Sequence, residues 1–263
     1  MYLGLAFLLR LTILTKKLNI SFEIPFFIIF GLILGPFKGS LLGVLADTLN
    51  LLITSTIATW MIEYAIVPVF VVLVSWGLFQ TFKLPREWSL TIIIISIAVV
   101  FCLLITIYAL EITKPNAKST IKLDSIEKDV SSFFTKEVIL GLLIGFMILS
   151  LAFFSTFFSL WIKTKKEIYF LITFVFAIIL IVIMLARWLW GPFAFVQYYN
   201  RFIGVKSNKS REISKYFYIY LTPIILKGLI TIPIYTLFLV SLTPVLWKLQ
   251  KKYARNYQNG WAI

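Results

Sequence analysis

Four ionisable side chains stand inside long apolar runs of this sequence: Arg10, Asp47, Arg187 and Lys227. A charge in lipid surroundings is costly, and such residues as a rule face a partner, a cavity or a ligand. Two chemistries are open to them. Asp47 can pair with one of the cations and tie a helix bundle together, Arg10 being the candidate closest in topology, or it can meet a ligand directly. The run Trp188 to Tyr199 (WLWGPFAFVQYY) offers planar aromatic surfaces, with Gln197 and Asn200 as polar groups able to orient a guest. It reads either as an aromatic belt at headgroup depth or as the wall of a pocket for a planar ligand. Trp60 and Tyr64 flank Glu63 near another span end.

Catalytic constellations are missing. The chain contains no histidine, which removes the H-E-x-x-H metal site, Ser-His catalysis and the commonest general base. No G-x-x-x-x-G-K-[ST] phosphate loop occurs, and the apolar runs hold no paired carboxylates at helical spacing. An enzyme is therefore not expected, and neither a metal nor another cofactor. The lone Cys102 permits no intrachain disulfide.

The elements that position these residues must be membrane helices. Of 263 residues 60% are hydrophobic and only 14% charged, and the mean hydropathy is +0.97. Backbone polar groups in lipid have no water to bond, so apolar spans of this kind are helical. The pattern predicts an all-α polytopic protein of about eight helices, over 2–15, 22–35, 37–57, 62–82, 88–112, 137–162, 168–199 and 217–247. The polar connection 113–136 carries Ile121, Ile126 and Val130 at near-helical spacing and predicts a short interfacial helix. No cleavable leader pattern is expected ahead of the first apolar run.

Within 31–47 (GLILGPFKGSLLGVLAD), Gly31, Gly35, Gly39 and Gly43 recur every fourth residue. One helix face without side chains lets another helix approach closely. Pro36 has no amide donor and suits the first turn of a helix, so it should separate two helices and open the second. Lysines and arginines fall almost evenly on the two sides of the predicted topology, so the positive-inside rule does not orient it. The net charge of +14 suits a protein facing anionic lipid rather than nucleic acid.

Three stretches resemble the substrate-binding S components of energy-coupling factor (ECF) transporters, particularly the folate-type family. Residues 5–15 (LAFLLRLTILT) are similar to the family's first helix, with Arg10 at its basic position. Residues 35–52 (GPFKGSLLGVLADTLNLL) match its G-P-x-x-G-x-x-x-G-x-x-x-D signature at Gly35, Pro36, Gly39, Gly43 and Asp47. Residues 226–239 (LKGLITIPIYTLFL) resemble its closing helix, with Lys227 and Pro233 in place. The resemblance implies one integral membrane domain over 1–263, a six-helix bundle. Its parts are family-like helices in 1–87 and 168–250 and an inserted helical hairpin in 88–163. It also implies capture of a vitamin, folate-like as a first expectation, for ATP-driven uptake across a bacterial plasma membrane. The partners would be a coupling membrane subunit and two ATPase subunits. The family's docking surface on the coupling subunit falls on Gly4 and Leu8. Its ligand region falls near Asn19, Trp60, Tyr64, Trp188, Gln197, Asn200 and Lys227. The competing expectation is another permease or the membrane subunit of a different ABC transporter.

Overall fold

A computed structural model describes residues 22–112, 136–204, 211 and 213–260. These residues are helical with short connections and contain no strand. The helices are α1 (Glu23–Ile53), α2 (Ile62–Thr81), α3 (Arg86–Ile112), α4 (Lys136–Thr164), α5 (Glu167–Ile183), α6 (Trp190–Tyr198) and α7 (Ile213–Gly260). Wider π-helical turns, Met184–Leu189 and Tyr199–Gly204, run on from α5 and α6. By length and composition six stretches qualify as membrane spans: α1 with both of its arms counted together, α2, α3 from Arg86 to Ile107, α4 from Leu140, Glu167–Gly204, and Tyr220–Lys248 within α7. The chain is an all-α polytopic membrane protein. Large side chains left exposed, among them Phe37, Leu41, Leu45, Ile148, Leu149 and Leu237, are the surface that lipid covers.

The chain forms two compact units, one of residues up to Pro85 and from Pro233 onward, the other of Arg86–Ile232. In the first, α1 is a hairpin rather than a rod. Gly35 adopts φ 78°, ψ −173°, a region nearly reserved for glycine, and breaks the helix at that point. Pro36 opens the second arm, as the sequence predicts. The two arms then run back against each other. A Cβ on Gly39 would stand 2.7 Å from the Phe30 carbonyl oxygen, one on Gly43 3.8 Å from the Phe27 ring, and the Asn50 amide donates to Glu23 at 3.2 Å.

Helix α2 lies along the same glycine face. A Cβ on Gly31 would come within 2.8 Å of the Val72 carbonyl oxygen, and one on Gly43 within 3.0 Å of the Pro68 ring. Gly31, Gly39 and Gly43 thus serve close packing, whereas Gly35 has nothing within 4 Å and serves the turn alone. The first arm also takes the later part of α7: Phe22 lies 5.6 Å from Tyr235 and 5.4 Å from Phe238, ring to ring.

The second unit is built around α5. This helix is apolar all round and buried from Phe170 onward except for Ile172, as expected for a helix surrounded by others. Helices α3 and α4 both pack on it. Aromatic pairs Phe153–Phe176 (4.3 Å) and Trp161–Phe170 (5.5 Å) align α4 antiparallel to it. Arg86, at the start of α3, sits 4.6 Å above the Phe170 ring and 3.1 Å from Glu167. The segment 88–163 therefore shares a core with the helix that follows it. Lys165 makes the turn between α4 and α5 in the left-handed region (φ 54°), its amide donating to the Trp161 carbonyl.

The spans predicted over 22–35 and 37–57 are the two arms of α1, the second ending at Ile53 before a short turn, Ile57–Thr59. Those over 62–82, 88–112, 137–162, 168–199 and 217–247 each correspond to a described helical stretch. The span 2–15 and the interfacial helix expected within 113–135 lie outside the described residues.

Candidate functional site

Asp47 stands on the second arm of α1, half-buried, one turn before Asn50 and so near Glu23. Among the described residues no cation pairs with it. Arg10, its expected partner, lies outside them, and Arg187 and Lys227 belong to the second unit. The Asn50–Glu23 bond gives the open end of the hairpin one polar tie, a contact between residues 27 positions apart that the sequence pattern does not display.

The first unit has a partly open cavity of about 300 Å³ lined by Leu32, Trp76, Phe79, Gln80, Phe82, Lys83 and Trp247. Lys83 donates to the Gln80 amide oxygen at 2.7 Å, and the Phe82 and Trp247 rings are 4.5 Å apart. Apolar walls with a few polar groups make a ligand-like lining. The sequence reading did not name it, because its wall comes from three elements distant in the chain.

In the second unit the aromatic run Trp188 to Tyr199 begins in one π-helical turn and ends in the other. Pro192 has no N–H, and its ring would collide with the Trp188 carbonyl in a regular helix. The wider turns of Met184–Leu189 stand directly before it, and such π-bulges frequently occur at functional positions. Trp188 itself is fully buried, 4.7 Å from Phe146 in an edge-on arrangement. A Cβ on Gly228 would lie 3.3 Å from its ring, so glycine there is what admits the indole. Its N–H is buried with no acceptor among the described residues. Trp188 thus belongs to the interior of the unit, not to a headgroup belt.

Asn200 opens the most polar part of this unit. Its side-chain amide donates to the Arg211 carbonyl (2.9 Å) and its oxygen accepts from the Arg211 amide (2.7 Å), clamping one residue's backbone on both groups. The Arg211 guanidinium lies 3.6 Å over the Tyr199 ring, 4.9 Å from that of Tyr216 and 5.7 Å from that of Tyr220. Phe195 backs Tyr220 at 4.5 Å. A guanidinium is thereby fixed in a tyrosine cage. Sequence reasoning missed Arg211, Tyr216 and Tyr220; the signal available was a tyrosine pair one helical turn apart just after an arginine.

The remaining site residues divide between the units. Trp60, 43% exposed, and half-buried Tyr64 are in the first; half-buried Gln197 and exposed Lys227 are in the second, with Asn200 and Trp188. Asn19 and the docking candidates Gly4 and Leu8 lie outside the described residues. Among the described residues no group of His, Cys, Asp and Glu could hold a metal. Comparison with protein-family models, curated proteins and solved structures gives no match.

Proposed function

We propose that this chain is the substrate-binding membrane subunit of an ECF-type importer. In this reading it captures a small solute of the vitamin class, folate-like as the first candidate, and is not itself an enzyme. The observation that carries the reading is the glycine hairpin. Gly35, Pro36, Gly39 and Gly43, four of the five residues of the signature, hold separate jobs in one device: a turn, a helix start and two close contacts. A seam without side chains lets three helical segments pack as one stiff body. A stiff body is what a subunit needs if it is to move as a whole against a partner in the membrane.

Capture is assigned to the region of Asn200, Gln197 and the tyrosines beside them, and docking to the segment bearing Gly4 and Leu8. The membrane would be a bacterial plasma membrane, and the partners a coupling membrane subunit and two ATPases.

Purification from native membranes through an affinity tag, followed by identification of what comes with it, tests the assignment. Recovery of a membrane subunit together with two ATP-hydrolysing subunits is expected. Solute uptake by the chain reconstituted alone would replace the reading with a self-sufficient permease. In the assembled transporter, Gly4→Trp should abolish ATP-driven uptake while leaving solute binding to the isolated chain intact.

A further inference from the structure

We propose that Arg211 and its tyrosine cage form a binding site for an oxyanion, a carboxylate or phosphate group carried by a small solute. Stacking on Tyr199 engages the face of the guanidinium and leaves its edges, where all five N–H donors point, uncommitted. Among the described residues no carboxylate or carbonyl accepts from those donors. The charge is also held in place. Asn200 binds both backbone groups of Arg211, which fixes where the side chain starts, and the Tyr199 ring 3.6 Å away gives the guanidinium a face to lie on.

A second donor in the same cage is unfilled. The Tyr220 hydroxyl is buried and has no hydrogen-bond partner among the described residues, although its ring lies 5.7 Å from the guanidinium. A buried hydroxyl left unpaired costs about 1–3 kcal/mol, and an acceptor supplied by a ligand removes that cost. One oxyanion answers both vacancies. Two of its oxygens match the fork of the guanidinium, and the hydroxyl adds a further donor. Along the sequence, 201–215 carries Arg201, Lys206, Lys209, Arg211 and Lys215 against the single Glu212, a positive balance that suits an anionic guest. A cation guest is disfavoured, because the cage already holds a fixed positive charge.

The site deepens the proposed function and rests on it only in naming the anion as the captured solute; the site itself is tested without any partner subunit. The full chain in detergent is titrated with benzoate and with inorganic phosphate against chloride at equal ionic strength, and thermal unfolding is followed. The same measurement is made in nanodiscs of phosphatidylglycerol and of phosphatidylcholine. Stabilisation by either probe in detergent assigns the site to a solute. A response confined to phosphatidylglycerol shows the same oxyanion chemistry served by a lipid headgroup, and overturns the solute assignment.

Arg211→Lys keeps the charge but loses the fork and should weaken the apparent affinity about tenfold or more. Tyr220→Phe keeps the shape of the cage and should weaken it several-fold, with the unfolding midpoint without anion unchanged or raised. If Arg211 variants do not fold, Tyr220→Phe decides. No response of the wild-type chain in any medium, or an undiminished response in Tyr220→Phe and Arg211→Lys, overturns the site. Absence of the ECF partners with the anion response intact would instead count against the proposed function alone.

Discussion

Gly39→Ala is the smallest change that tests the hairpin. The added methyl would stand 2.7 Å from the Phe30 carbonyl oxygen, 3.0 Å from its carbon and 3.0 Å from the Val72 methyl. Two of these obstacles are backbone and cannot rotate away. The first contact is about 0.7 Å short of ordinary van der Waals distance, so the arms must part or α2 must retreat. Overpacking of that kind costs about 1–3 kcal/mol. Helix propensity acts in the opposite direction, because alanine is favoured over glycine by about 0.5–1 kcal/mol in a helix interior. The net expectation is a loss of about 0–2.5 kcal/mol in equilibrium unfolding with denaturant in detergent micelles. Gly77→Ala is the internal control. It lies on α2 of the same unit, nothing stands within 4 Å of its added methyl, and only the propensity gain remains. Gly39→Ala as stable as Gly77→Ala would show that the arms do not touch at Phe30, and the packing role of the glycine face would fall.

Gly35→Ala meets no steric obstacle but forces a side chain into the conformation at φ 78°, ψ −173°, and should cost about 1–3 kcal/mol in the same assay. In the second unit, Gly228→Leu must displace the Trp188 ring and should lower the unfolding midpoint, whereas Gly141→Leu, with open space around it, should leave the midpoint unchanged. Asn200→Ala strips the partners from the amide and carbonyl of Arg211. A loss of about 1–3 kcal/mol and faster hydrogen exchange at the Arg211 amide are expected, and unchanged exchange would refute the clamp.

What the sequence made legible was decided by local backbone chemistry and by long apolar runs. Gly35–Pro36 declares a turn because glycine admits a positive φ and proline fixes its own φ and lacks an amide donor, both independent of distant neighbours. Helix α5 is legible because apolar residues on all sides leave a helix nowhere to go except among others. Non-local pairing is what stayed hidden. Trp188 is an interior residue only because Gly228, forty positions later, leaves room for its ring. The Asn200–Arg211 clamp and the Trp247 wall of the first cavity likewise join residues that no periodicity connects. The π-helical turn before α6 is accounted for by Pro192, yet a proline in sequence does not say whether a helix will kink, stop or widen.

The hairpin of α1 also sets a length scale. Its first arm, over 23–34, rises roughly 18 Å and its second, over 36–53, roughly 27 Å. Glu23 and Asn50 are bonded side by side, so the Gly35 turn lies only about 18 Å from that level, while a bilayer's hydrocarbon core is about 30 Å thick. The hairpin is shorter than the medium it sits in. Bilayers meet such a shortfall by thinning and through long basic side chains that snorkel, and Lys38 stands exposed at the turn beside the almost wholly exposed Phe37. Acyl-chain length thereby enters the energetics of this unit as directly as any side chain does, and a short-chain bilayer is the solvent in which it is least strained.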